Sequence, residues 1–254
     1  MTEGFRFLAS LRAAVTFLTR VPTGKAAYRD SDWRWATAHF PLIGAGLGCI
    51  AAATYVVAGQ GPVGAVAALA ASVALTGAFH EDGLADTADA LGGGLEDRDR
   101  ILEILKDSRV GSYAAVSLII VFLAKWVLLT ELGTRAAAAL ILAHAWARLP
   151  PVGLMLWLPY VTSDARARSR LLTRARGPQF ALASAWSLGV GGILWAAGGV
   201  GLSGLLTAAG VLAIVTVSMA RWYRHRLGGI TGDLLGATEQ VGEASVLAAL
   251  WFVS

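Results

Sequence analysis

The chain of 254 residues has one cysteine, seven prolines and 15% charged residues. A lone cysteine, Cys49, cannot form an intramolecular disulfide, so a stapled scaffold is excluded and nothing points to an oxidising compartment. Soluble domains carry about 25% charged and about 45–50% apolar residues. With 56% hydrophobic residues, this chain does not have the composition of a soluble enzyme. Internal repeats and low-complexity tracts are missing. A cleavable signal pattern is missing too: the apolar stretch within residues 1–21 is interrupted by Arg6, Arg12 and Arg20. That spacing suits an amphipathic helix lying in a membrane interface. The formal charge is +4. In a soluble protein such basicity would suggest nucleic acid; here the basic residues sort into loops, which indicates topology and anionic partners, not nucleic acid.

What is present is a series of long apolar runs. A spanning helix needs roughly 20 mostly apolar residues, and candidates lie near 38–58, 63–79, 112–130, 136–158, 180–198 and 200–220. A seventh, near 236–253, carries Glu239 and Glu243. Gln60-Gly61-Pro62 and Gly198-Gly199 read as tight turns between antiparallel helices. Eighteen of the 21 Lys and Arg residues fall in four segments, around 6–34, 98–109, 166–176 and 221–226. Six crossings place all four on one side, which the bias of Lys and Arg marks as cytoplasmic. The opposite links carry only Glu131 and Arg135. The expected fold is all-α: one polytopic membrane domain over 1–254, with six to seven transmembrane helices and short interfacial ones. Lys125 and Arg148 fall inside spans, where a charge must face a partner, a polar cavity or the interface.

The chemistry concentrates directly after the second run, in His80-Glu81-Asp82-Gly83-Leu84-Ala85-Asp86-Thr87-Ala88-Asp89. Asp82, Asp86 and Asp89 are spaced i, i+4, i+7, so a helix sets three carboxylates on one face, with Glu81 one position round. Like charges at that spacing repel, and a hard divalent cation such as Mg²⁺ offsets the repulsion; Mg²⁺ commonly sits between one or two carboxylates and substrate phosphates. The plainer reading is a solvated helix start, with Asp82 as its cap. That accounts for one or two of the acids but not for a face of three at a membrane boundary. His80 is placed to act as a general base or to hydrogen-bond a ligand, or simply to sit at the interface. Gly92-Gly93-Gly94 reads as a flexible break, and 97–106 as a short amphipathic helix. Beyond it, Lys106 and Arg109 suit phosphate oxygens and Asp107 is positioned to join a metal site; alternatively this is a loop obeying the charge bias.

A second polar patch, Gly228-Gly229-Ile230-Thr231-Gly232-Asp233-Leu234-Leu235-Gly236-Ala237-Thr238-Glu239, surrounds one aspartate with glycines. Such a loop lets backbone N–H groups approach a phosphate closely. Glu239 and Glu243 share a helix face; they read either as functional carboxylates or as structural partners of Lys125 and Arg148. His39, His144 and His225 show no metal-ligand spacing and read as structural.

Taken together, the run 79–89, the segment Asp107-Ser108-Arg109-Val110-Gly111 and the segment Thr231-Gly232-Asp233-Leu234-Leu235-Gly236-Ala237 resemble the cobalamin synthase (adenosylcobinamide-GDP ribazoletransferase) family. Weaker matches are Phe17-Leu18-Thr19-Arg20-Val21-Pro22 and Phe40-Pro41-Leu42-Ile43-Gly44. The resemblance covers nearly the whole chain. It implies an enzyme of the bacterial cytoplasmic membrane, with its site facing the cytoplasm, that joins adenosylcobinamide-GDP to α-ribazole or its 5′-phosphate and releases GMP, with Mg²⁺ as cofactor. The expected metal residues are Asp82, Asp86 and Asp89, joined by Glu81 and Asp107. Asp233 or His80 is expected to take the proton from the attacking hydroxyl. Lys106, Arg109, Arg20, Thr231, Gly232 and Glu239 are expected to bind substrate. Three other classes compete. A prenyltransferase would carry paired D-D-x-x-D motifs, and the adjacent Asp pair is absent here. A CDP-alcohol phosphotransferase also carries an acidic motif on membrane helices, but its pattern places Arg after Ala, where Asp86 follows Ala85 here. A cation-coupled transporter would use Glu239, Glu243, Lys125 and Arg148 as an ion path, yet the expected symmetry of interrupted spans is absent.

Overall fold

The computed structural model describes residues 6–25, 27–94, 97–107, 109–161 and 175–254. Arg166, Arg168, Arg170 and Arg174 of the third basic segment lie outside them. The described residues form helices and no strand; one isolated parallel bridge joins Tyr160 to Ile230.

Among the described residues twelve α-helices follow one another: α1 (Phe7–Leu18), α2 (Asp30–Ala36), α3 (Phe40–Val57), α4 (Gly61–Thr76), α5 (Phe79–Gly93), α6 (Arg98–Ile104), α7 (Ser112–Leu132), α8 (Ala136–Trp146), α9 (Leu149–Trp157), α10 (Gly177–Ala196), α11 (Leu202–Leu227) and α12 (Gly232–Phe252). Among the described residues, four stretches are long and apolar enough to cross a membrane: Asp30–Val57, Ser112–Trp157, Gly177–Ala196 and Leu202–Leu227. The pair α4 and α5 passes the same test only together, and it is bent at its middle. The stretch Ser112–Trp157 has 46 residues, about 69 Å if straight, roughly twice the hydrocarbon thickness. It doubles back at Gly133, whose φ of +56° interrupts the helix. Lys125 from its first half and His144 from its second both reach Glu243.

α1 has 12 residues, about 18 Å, too short to cross. Ser10, Ala13, Ala14 and Leu18 form its buried face, as the amphipathic reading requires. α12, the weaker seventh candidate, does not qualify as a span by composition. It sits instead among the other helices, with most of its side chains buried from Leu234 to Leu250. Its carboxylates are possible there because neighbouring helices satisfy them.

Close packing rests on small residues, as is usual where lipid gives no hydrophobic drive between helices. On α3, a Cβ at Gly44 would lie 2.1 Å from the His144 carbonyl oxygen, and one at Gly48 would lie 2.7 Å from the Ile141 Cα. Those two glycines, four apart, let α3 and α8 touch backbone to backbone. At the far end, the buried Tyr55 hydroxyl donates towards the carbonyls of Leu129 (3.2 Å) and Gly133 (3.0 Å) and accepts from Gly61 N–H (3.0 Å).

The bend between α4 and α5 is 91°. It is made by two consecutive left-handed residues, Gly77 (φ +68°) and Ala78 (φ +58°). Alanine in that region costs roughly 1–2 kcal/mol. Arg20 helps hold the bend: its backbone N–H donates to the Leu75 carbonyl (2.7 Å), and its side chain lies where a Cβ on Gly77 would be. The acidic helix α5 is thereby turned away from the crossing path of α4.

Candidate functional site

α5 is a continuous helix, so Asp82, Asp86 and Asp89 do share a face. Its partner is the first turn of α12, and the two cross glycine on glycine. A Cβ on Gly83 would lie 2.8 Å from the Asp233 carbonyl oxygen and 3.1 Å from the Gly236 Cα. Conversely, a Cβ on Gly236 would lie 3.3 Å from the Gly83 Cα. The two polar motifs, about 150 positions apart in sequence, are thus one structural unit.

Gly92 and Gly93 do not form a flexible break. α5 continues through both, and the glycines make room: a Cβ on Gly92 would meet the Tyr113 ring at 2.6 Å, and one on Gly94 would meet Ile101 at 2.4 Å. Likewise Asp82 does not cap the helix, since Ala78 occupies that position.

Around the crossing lies a cavity of about 310 Å³, bounded by Asp82, Asp233, Gly232 and Tyr160 together with His80, Arg148, Glu239 and several aromatic side chains. Thr231 caps α12: its Oγ1 accepts from Leu234 N–H (3.4 Å) and donates to Asp233 Oδ2 (3.3 Å). The Gly232 N–H donates to the Tyr160 hydroxyl (3.1 Å). The loop is pinned by Ile230 N–H to the Pro159 carbonyl (2.8 Å) and Val161 N–H to the Ile230 carbonyl (2.9 Å). Gly229 permits that contact, because a Cβ there would lie 2.1 Å from the Pro159 oxygen.

The carboxylates of the crossing act on one another. Burial pushes the Asp86 carboxyl up to about 6, and Asp82, Asp233 and Asp89 add to the rise. Burial also raises Asp233. Asp82 is exposed. Asp89 faces the start of α7, where its Oδ2 accepts from Gly111 N–H (2.6 Å) and its Oδ1 from Ala114 N–H (2.9 Å). A Cβ on Gly111 would collide with that carboxylate at 2.5 Å.

The remaining expected residues fall in two other places. Lys106 and Arg109 are exposed on the loop before α7. Asp107 is engaged by Arg109, Nη2 to Oδ2 at 2.5 Å and Nε to Oδ1 at 2.9 Å, which holds its carboxyl down at about 2. Glu81 and Glu239 turn inward. Gln240 Nε2 donates to Glu81 Oε1 (3.1 Å) and to Glu239 Oε2 (3.0 Å). Lys125 Nζ donates to Gln240 Oε1 and Glu243 Oε2, both 2.7 Å. Arg148 Nη1 lies 2.9 Å from Glu239 Oε1 and 3.2 Å from Glu243 Oε1. His144 Nδ1 contacts Glu243, and its Nε2 is 3.1 Å from Ser72 Oγ. His80 Nδ1 is 3.7 Å from Glu239 Oε2.

This buried network realises the structural alternative for Glu239 and Glu243 as partners of Lys125 and Arg148. Among the described residues, the one triad whose ligand atoms lie within 4.8 Å of one another is His144, Glu239 and Glu243. Two cations already occupy its carboxylates, so it is an ion-pair core and not a metal site. Tyr160, Gln240 and the role of His144 went unrecognised in the sequence. Gln240 carried a usable signal, since it stands between two membrane carboxylates.

A family model described as cobalamin-5-phosphate synthase matches residues 10–251. A protein named adenosylcobinamide-GDP ribazoletransferase from Leptothrix cholodnii is 41% identical over 252 residues, covering 94% of this chain and 95% of that one. Proteins of the same name from Shewanella amazonensis (38% identical, 94% of each chain) and Ralstonia pickettii (36% identical, 95% of this chain and 94% of the other) are similarly related. No solved structure matches.

Proposed function

Since this chain belongs to the cobalamin-5-phosphate synthase family, we propose that it transfers the adenosylcobinamide-phosphate group from adenosylcobinamide-GDP to α-ribazole or its 5′-phosphate, releasing GMP. The observation that carries the reading is the glycine-on-glycine crossing of α5 and α12, which sets Asp82 and Asp233 beside one cavity, with Asp86 close enough to feel both charges. Phosphoryl transfer asks for positioning and neutralisation of charge more than for covalent chemistry.

The residues fit a magnesium ion. Asp82 and Asp86 offer hard oxygen ligands, and burial, with the charges of Asp82, Asp233 and Asp89, raises the Asp86 carboxyl, which a bound cation would offset. When bound, Mg²⁺ would neutralise pyrophosphate oxygens and the developing charge on the departing nucleotide. Asp89, spent on the backbone of α7, supports the site rather than ligating. The acceptor hydroxyl attacks the phosphorus attached to cobinamide, and the bond from that phosphorus to the bridging oxygen breaks. GMP leaves with the bridging oxygen. Asp233, whose carboxyl burial raises above its usual value, takes the hydroxyl proton and passes it to water. His80, buried and backed by Glu239, lines the wall behind it. Arg109, Lys106 and Arg20 lie on exposed segments of the same basic face, which the charge bias assigns to the cytoplasm of a bacterial membrane. There they meet the guanosine phosphates.

The test is GMP release by detergent-purified protein given adenosylcobinamide-GDP, α-ribazole and Mg²⁺. Release should require all three and fail with EDTA or in Asp86→Asn. Release undiminished by EDTA would overturn the metal assignment. No release from folded protein would overturn the reaction.

A further inference from the structure

Phosphoryl transfer gives no reason for the apolar half of the cavity. Phe17 and Phe40 stack with ring planes 3° apart and centroids 5.9 Å apart; Phe79 meets Phe17 edge-on at 5.2 Å and His80 at 5.2 Å. All four rings border the cavity, and Met155 and Pro151 join them. Aromatic side chains in offset or edge-on arrangement present flat apolar faces to a ligand ring. Asp82 and Gly232 stand at the exposed end of the lining, while Phe40, Arg148 and Glu239 are buried. The cavity therefore joins an aromatic wall, running from exposed Phe79 to buried Phe40, to a set of polar groups.

Size narrows the choice of occupant. A cavity of about 310 Å³ lies at the bottom of the range for small-ligand sites, about 300–1,000 Å³. A nucleoside base of two fused rings fits that space; a corrinoid macrocycle, several times larger, does not. A polar handle lies in the buried part of the lining. Arg148 is 2% exposed, lines the cavity, and its Nε–H has no acceptor among the described residues. A bare ring nitrogen would supply one.

We propose that this cavity is the acceptor-nucleoside subsite. An apolar fused-ring base packs among Phe17, Phe40 and Phe79, and its ribose reaches Asp82 and Asp233. The donor's macrocycle stays outside and presents only its pyrophosphate. The placement rests on the transferase reading above and assigns the box of rings as the determinant of base specificity.

Two measurements test it. In the GMP-release assay, Phe79→Ala should raise KM for α-ribazole about tenfold, the scale of one lost base–aromatic contact. KM for adenosylcobinamide-GDP should change less than twofold. Phe79 is 43% exposed, so the variant folds; Phe40→Leu, which keeps apolar volume, is the second. Direct fluorescence titration with α-ribazole alone should show saturable binding to the unaltered protein, weakened in both variants. A rise confined to the donor's KM would overturn the assignment, as would normal α-ribazole binding in both variants. If α-ribazole binds as expected but no GMP is released, the subsite stands and the reaction fails.

Discussion

Gly83→Ala isolates the crossing of α5 and α12 from everything else in the protein. The added methyl would sit 2.8 Å from the Asp233 carbonyl oxygen and 3.1 Å from the Gly236 Cα, whereas ordinary contact begins near 3.4 Å. Both obstacles are backbone, so no side chain can swing aside. Going from 2.8 to 3.4 Å, the helices must separate by about 0.6 Å at the point where they position Asp82 and Asp233. Overpacking of this kind costs roughly 1–3 kcal/mol. Alanine recovers roughly 0.5–1 kcal/mol through helix propensity, so the net loss is about 0–2.5 kcal/mol and the protein still folds. Catalysis is less forgiving, since a misplacement of about 1 Å can cost about 100-fold. The expected result is a fall in GMP release of about 10- to 100-fold, with a thermal midpoint lowered by only a few degrees. Gly46→Ala, where a Cβ meets nothing within 4 Å, is the matched control and should keep full activity. Wild-type turnover in Gly83→Ala would refute the claim that this contact sets the catalytic spacing.

Asp86 gives a pH prediction with a definite sign. Its carboxyl is raised from 3.8 to about 6 in the folded protein, so the stability it contributes is fully present below about pH 4 and is lost as pH rises through about 6. Without divalent cation, Asp86→Asn should therefore unfold at higher temperature than the unaltered protein at pH 7 but not at pH 4. An equal midpoint at pH 7 in EDTA would refute this. If Mg²⁺ binds Asp86 as proposed, it displaces that proton, so its apparent affinity should weaken by up to about tenfold per pH unit below about 6, read by Mg²⁺-dependent thermal stabilisation. Asp89→Ala removes both side-chain partners of the first turn of α7 and should cost about 1 kcal/mol, equally in EDTA and in Mg²⁺, by thermal unfolding. Glu243→Ala strips Lys125, His144 and Arg148 of a shared partner. Breaking a buried pair from one side costs about 3–5 kcal/mol, so the yield of folded protein in detergent should collapse. Replacing Lys125 by Met in the same chain should restore part of it.

The sequence exposed what depends on local periodicity and on charge counting. Six apolar runs and the one-sided distribution of Lys and Arg were enough for an all-α membrane bundle, and the i, i+4, i+7 spacing was enough for a carboxylate face on α5. It did not expose what depends on backbone approach between distant segments. Gly83 and Gly236 each read as small residues inside a motif; only the structure turns them into a shared contact that makes two motifs one site. The same limit hid the use of Gly92 and Gly94. A glycine that relaxes a chain and a glycine that admits a neighbour are the same letter, and the neighbour, here Tyr113 or Ile101, is decided by tertiary packing. Asp89 shows the converse. Its spacing placed it with Asp82 and Asp86, but the start of α7 comes close enough to use both of its oxygens. The four carboxylates thereby divide: Asp89 fixes α7, and in the proposed reaction Asp82 and Asp86 are left for phosphate and cation and Asp233 for the acceptor. The division follows from which backbone N–H groups lie within reach, information that no spacing within α5 carries.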